Sequence, residues 1–133
     1  EVKDSLIDTS KLIFLGKVDY NIFLDIMDLS SVHIYLTYPF VLSWSMLEVM
    51  ALEKVVVGSK TKPVEEVIID NENGLLVDFF DTEEIANKVI SVLSNPEKFN
   101  QIRKRARKTI VDHYDLRRVC LPRQLELIER ILK

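Results

Sequence analysis

Val32-His33-Ile34-Tyr35-Leu36-Thr37, then Ser43-Trp44-Ser45-Met46-Leu47-Glu48-Val49-Met50-Ala51, then Val55-Val56-Val57-Gly58 and Asn73-Gly74: this succession within residues 32–74 decides the fold. The first segment is apolar or aromatic at nearly every position, as strands of parallel sheets are when both faces are covered. A Ser-Trp-Ser loop then leads into a helix expected over Ser45–Leu52, with Met46, Leu47, Met50 and Ala51 turned inward and Ser45 as its N-cap. Val55–Gly58 reads as another buried strand, and Asn73-Gly74 as a tight turn into a further one, Leu75-Leu76-Val77. A strand that runs through a short polar loop into a helix start offers unpaired N–H groups and a positive dipole end, which suit an anion such as phosphate. Glu48, one turn into that helix, is at the edge of the same cleft, where a carboxylate can accept hydrogen bonds from sugar hydroxyls.

Outward from this stretch the alternation continues. Lys11–Leu15 is a short apolar run closed by Gly16 and reads as a buried strand, and Tyr20–Leu29 carries Ile22, Phe23, Ile26, Met27 and Leu29 near helical spacing. Pro39 ends or bends the Val32–Thr37 strand. Pro63 is at the first turn of a short helix, Lys62–Val67, where its missing N–H costs nothing. After Phe80 the strands stop. Asp81-Thr82-Glu83-Glu84 caps a helix with Ile85, Val89, Ile90 and Leu93; Asn95-Pro96 opens another through about His113; the last begins near Asp115 and carries Val119, Leu125, Ile128, Ile131 and Leu132 despite Pro122. The expectation is an α/β fold: a Rossmann-like parallel sheet of about four strands, helices on both faces, and a closing run of three helices. Ligands then meet the carboxyl ends of the strands, at the loops Gly16–Asp19, Thr37–Ser45, Gly58–Pro63 and Asp78–Asp81.

Composition sets the bounds. A length of 133 residues fits one domain, and 47% hydrophobic with 29% charged residues and three glycines fits a packed one. The net charge of −3 gives no whole-chain attraction to nucleic acid or to an anionic membrane. Cys120 is alone, so no intramolecular disulfide or cysteine-held metal is expected, and a reducing, cytoplasmic setting fits. No run approaches the ~20 apolar residues of a membrane span, and the opening Glu1-Val2-Lys3-Asp4 is unlike a secretory signal. The abrupt start without methionine leads to the expectation of a piece of a longer protein.

Phe14-Leu15-Gly16-Lys17-Val18, Leu47-Glu48-Val49-Met50-Ala51, Val55-Val56-Val57, Pro63-Val64-Glu65-Glu66-Val67-Ile68 and Glu72-Asn73-Gly74-Leu75-Leu76-Val77 occur in an order and spacing that, across roughly residues 11–115, resembles a known family. It is the donor-binding, C-terminal half of retaining glycosyltransferases with the two-domain GT-B fold, of the group 1 or family 4 type. The resemblance implies a single partial domain over residues 1–133, without its N-terminal acceptor domain and inactive alone. The whole protein would transfer a hexose from a nucleotide-sugar donor to an acceptor hydroxyl. It implies that the backbone of Ser43, Trp44, Ser45, Met46 and Leu47 cradles the diphosphate, that Glu48 binds the ribose, and that Gly16, Lys17 and Val18 read the base edge. No cofactor or metal is required by the resemblance, and catalytic residues stay unassigned. The family's phosphate-binding Arg and Lys would come from a segment preceding Lys11. One departure stands out: where the family has a sugar-binding glutamate eight positions before Glu48, this chain has Phe40, which is counted with the donor segment. Nucleotide binding is therefore the firmer expectation, and the sugar stays open. So do the acceptor and any peripheral membrane contact of the whole protein; no nucleic-acid partner is expected.

Each candidate also has a plainer reading. Glu48 suits the first turn of any helix as a solvated carboxylate. Ser43 and Ser45 bind phosphate or cap the helix, and Trp44 shields the site or packs beneath it. His33 reads as a core histidine, His113 as a helix-end residue, Asp78 and Asp81 as loop and cap residues, and Cys120 as a small core residue. Arg103-Lys104-Arg105 and Arg107-Lys108 read as an exposed helix face. No spacing resembles a metal site. The rival classes are a non-catalytic flavodoxin-like signalling or interaction module, which would want an acidic cluster after the first strand that Leu15-Gly16-Lys17 lacks, and an epimerase, for which His33 and His113 are poorly placed.

Overall fold

A computed structural model describes residues 9–38 and 41–132. Three parallel strands, β1 (Val32–Tyr35), β2 (Val55–Ser59) and β3 (Leu75–Val77), lie in that order, with Val32 opposite Val55 and Val57 opposite Leu75. Helices α1 (Tyr20–Leu29), α2 (Trp44–Ala51), α3 (Lys62–Glu65), α4 (Thr82–Ser94), α5 (Asn100–Tyr114) and α6 (Leu121–Ile131) complete the fold.

The period of two along β2 sorts the core into two layers. Val56 and Leu76 pack with Met46, Val49 and Met50 of α2, Val64, Val67, Ile68, and Ala106 of α5. Val55, Val57, Leu75 and Val77 face the other way, against Val92 of α4 and Ile102 of α5. All five β2 residues are buried, as the central strand of a doubly covered parallel sheet must be.

The expected strand at Lys11–Leu15 does not form: Thr9–Lys11 is a turn of 3-10 helix, and the chain then runs irregularly to Asp19. Ile13 and Phe14 are 83% and 78% exposed. An apolar run becomes a strand only when it pairs along an edge and is covered by other layers; Lys11–Leu15 does not pair with either outer strand of the described sheet. The helix expected from Asn95 is divided into a 3-10 turn, Pro96–Phe99, and α5. Asp115 does begin the last helical segment, accepting hydrogen bonds from the N–H groups of Arg117 at 3.0 Å and Arg118 at 2.7 Å. A wide π turn, Leu116–Cys120, then leads into α6, so that Pro122 falls in its first turn, where a missing N–H is harmless.

The link from α3 to β3 is a braced loop rather than an exposed Asn-Gly turn. Asn73 is 3% exposed; its side-chain oxygen accepts from Ile69 N–H at 2.7 Å, and its amide donates to Val67 C=O at 2.9 Å and Thr109 Oγ1 at 3.0 Å. The left-handed residue here is Asn71 (φ 59°), a type that tolerates this conformation. Gly74 is needed for another reason: a Cβ there would lie 2.8 Å from Ile68 Cγ2.

Candidate functional site at the carboxyl edge of the sheet

Because the strands are parallel, the loops after β1, β2 and β3 all leave from one edge. Ser59, the fully buried last residue of β2, fixes the first of them: its hydroxyl accepts from Thr37 N–H at 3.0 Å and donates to Thr37 C=O at 2.7 Å. Tyr35 adds a second hold, its phenol oxygen accepting from Ser43 N–H at 2.8 Å. The loop is thereby tied at both ends before α2 begins.

Ser43, and not Ser45, is the N-cap of α2, its Oγ accepting from Ser45 N–H at 3.3 Å. An N-cap hydroxyl reaches the second helical N–H, and from Ser43 that N–H belongs to Ser45. The two hydroxyls lie 3.0 Å apart. Trp44 is 80% exposed, so it does not pack beneath the loop. Met46 is fully buried and Leu47 half-buried against the core, so neither side chain is offered to a ligand. Phe40, and with it Pro39, lies outside the described residues.

Glu48 has a partner that local pattern reading misses. Tyr20 Oη donates to Glu48 Oε1 at 2.7 Å across 28 residues of sequence. This bond joins the first residue of α1 to the second turn of α2, and brings the Gly16–Asp19 loop to the same edge as Glu48. Gly16 is left-handed (φ 63°), and Gly16 and Lys17 are exposed while Val18 is half-buried. The Tyr20 phenol is held above its ordinary pKa, chiefly because its proton is engaged by the carboxylate, with desolvation and the negative charge of Glu48 adding to it. A carboxylate offers about four acceptor positions, so one phenol leaves room for two vicinal hydroxyls.

The other candidates take structural places. His33 is half-buried in β1, and burial pushes its imidazole below the usual value. Asp78 Oδ1 accepts from Phe80 N–H and Asp81 Oδ1 from Glu84 N–H, both at 2.8 Å, as loop and cap residues do. His113 is in the last turn of α5. Arg107 pairs with Glu53 at 3.7 Å and Lys108 with Asp112, in keeping with a solvated helix face. Cys120 is half-buried in the π turn. Among the described residues no group of three His, Cys, Asp or Glu is arranged to hold a metal, and no helix is long and apolar enough to cross a membrane. A cleft of about 590 Å³ lies between the α3–β3 loop and α5; its lining mixes Arg105 and Lys108 with Glu66, Glu72 and Asp112, away from the loops described above.

Residues 6–109 match the model of the family described as glycosyl transferases group 1. The chain belongs to that family. An uncharacterised glycosyltransferase of Methanocaldococcus jannaschii is 35% identical over 92 residues, 68% of this chain and 22% of its own length. The C-terminal domain of a group 1 glycosyl transferase of Francisella tularensis superposes with a TM-score of 0.72 at 24% identity, covering 79% of this chain and 54% of that one. HepE of Anabaena, solved in complex with UDP-glucose, gives a TM-score of 0.64 at 21% identity over 68% of this chain and 25% of its own. This group 1 chain therefore spans about a fifth of the curated relative and about half of the Francisella domain.

Proposed function

We propose that this chain is the donor-binding part of a retaining glycosyltransferase, and that it holds the nucleotide diphosphate of an activated sugar at the α2 N-terminus with the ribose on Glu48. The observation that carries the reading is the Tyr20–Glu48 hydrogen bond at 2.7 Å, because it sets a pre-oriented carboxylate between two loops that a nucleotide would span. The diphosphate end rests at the first turn of α2, on the helix dipole and the Ser43 and Ser45 hydroxyls, since the Ser43 and Ser45 N–H groups already donate to Tyr35 Oη and Ser43 Oγ. The dipole opposes the negative charge that grows as the diphosphate departs. The ribose end rests on the remaining acceptor positions of Glu48, and the base lies toward Gly16, Lys17 and Val18. That HepE is solved with UDP-glucose supports a nucleotide-sugar donor for this chain as well. Acceptor binding belongs in this reading to the remainder of a longer protein, and the 133 residues alone bind without turning over.

The test is calorimetric titration of the chain with UDP, GDP and ADP. At least one is expected to bind in the millimolar range or tighter, and Glu48→Ala to weaken it about tenfold or more, since a hydrogen bond to a charged group contributes ~1.5–3 kcal/mol. Absence of binding by all three nucleotides would overturn the reading.

A further inference from the structure

Three aromatic rings meet at the carboxyl edge, beyond the end of β2. Tyr38 follows β1, Phe79 and Phe80 follow β3, and the Tyr38 ring centroid is 5.4 Å from each phenylalanine, with the two phenylalanines edge to face at 4.9 Å. Tyr38 is 60% exposed and Phe80 72% exposed. Phe79 is half-buried, so the exposed aromatic surface belongs to Tyr38 and Phe80, where rings of this size normally cover a core.

The loop that carries them is braced. Asp78 N–H donates to Glu84 Oε2 at 2.9 Å, Phe80 N–H to Asp78 Oδ1 at 2.8 Å, and Asp81 N–H to Asp78 C=O at 3.2 Å, while Asp81 caps α4. On the other side Ser59 grips Thr37, the residue before Tyr38. The rings are therefore held in place from both ends. Continuity decides which ligand they face: Tyr38 opens the same loop that ends at Ser43, the cap of the proposed diphosphate site.

We propose that the cluster of Tyr38, Phe79 and Phe80 holds a pyranose ring, one exposed ring face stacking on the C–H face of the sugar. The proposal rests on the donor-site reading above. The chemistry is complementary, because axial C–H groups carry slight positive charge and an aromatic face slight negative charge. The neighbouring carboxylates fit as well: Asp78 and Asp81 are exposed beside the rings and offer acceptors to hydroxyls. The same carboxylates argue against a lipid surface, since anionic headgroups repel them and the bilayer interior penalises them. The pyranose comes either from the donor or from an acceptor glycan.

The experiment compares UDP, GDP and ADP with their glucose conjugates on the intact chain, and follows the Tyr38 ring resonances during addition of methyl glucoside. For a donor sugar, Phe80→Leu is expected to weaken the conjugate about three- to tenfold while leaving the bare nucleotide unchanged, and Tyr38→Phe, which keeps its ring, to preserve both. For an acceptor sugar, the conjugate is unaffected and the methyl glucoside shifts disappear in Phe80→Leu. Phe80 is exposed, so neither result is confused with unfolding. If no bare nucleotide binds, the donor reading fails on its own, and the glucoside arm still decides whether the cluster holds a sugar. No response to either sugar, or ring shifts caused instead by phosphatidylcholine–phosphatidylglycerol vesicles, would overturn the proposal.

Discussion

The α3–β3 loop and the β1–α2 loop leave opposite edges of the same sheet and are held in opposite ways. In the first, a buried Asn73 satisfies backbone groups from inside, Gly74 admits Ile68 at close range, and Thr109 ties the loop to α5. In the second, among its described residues, Tyr35 and Ser59 grip the ends, at Ser43 and Thr37, Leu42 packs against the core, and Tyr38, Val41 and Trp44 face solvent. The first loop is filled from inside, and the space beside it is the cleft of about 590 Å³ against α5. The second loop keeps exposed side chains between its anchors, and the proposed donor site is at that edge.

Asn73→Ala should produce the largest effect and the clearest break between the two loops. It strands the Ile69 N–H and the Val67 C=O without their partner, at ~1–3 kcal/mol for each buried group left unpaired. A loss of about 3 kcal/mol in denaturant unfolding is expected, with the nucleotide affinity of the still-folded fraction unchanged. A loss under about 1 kcal/mol would mean that water or Thr109 replaces the amide, and that this loop is less closed than its hydrogen bonds imply.

Ser59→Ala should sharpen the comparison from the other side. Thr37 is only half-buried, so water can reach its freed groups and the stability loss should stay at about 1–2 kcal/mol. Nucleotide affinity should fall together with stability, because the α2 entry loop loses its anchor. Unchanged affinity in the calorimeter would show that Tyr35 alone positions Ser43.

The legible parts of this fold were those whose cause is local. Val55-Val56-Val57 declares a buried strand by composition alone, and Pro63 and Asp81 mark helix starts by their own chemistry. Lys11–Leu15 is largely apolar too but pairs with no described strand, and pairing is a property of two segments, not one. Ser43 and Ser45 are equally good caps on paper; the chain path set by Tyr35 at the Ser43 N–H accompanies the choice of the earlier one. Asn73-Gly74 has turn composition, yet its role comes from Ile68 and from Thr109, 36 residues away. At the candidate site, Glu48 could be singled out from its helix and the family resemblance. Its partner Tyr20 and the Tyr38–Phe79–Phe80 cluster could not, since they depend on contacts across 28 and about 40 residues that no period or motif encodes.

The smallest effect is expected at the bond that defines the site. Tyr20 lies on the surface, so Tyr20→Phe should leave the unfolding midpoint where it is, in contrast to both loop variants. Its signature is instead in titration. The folded phenol is raised above 10.0, first by its hydrogen bond to Glu48, and an unfolded chain has no such bond. The folded form thus holds its proton longer. Any stability linked to this group is complete below pH 10.0 and is lost as pH rises through the raised value. Glu48→Gln removes the charge and most of the acceptor strength, so the Tyr20 phenolate, followed by its near-ultraviolet absorbance, should appear at lower pH than in the parent chain. Bound nucleotide should move the same signal, because a ribose on Glu48 competes for its oxygens. If Glu48→Gln leaves the phenolate curve in place, the two side chains do not share a proton in solution, and the exposed edge is held less firmly than the buried one by more than its geometry indicates.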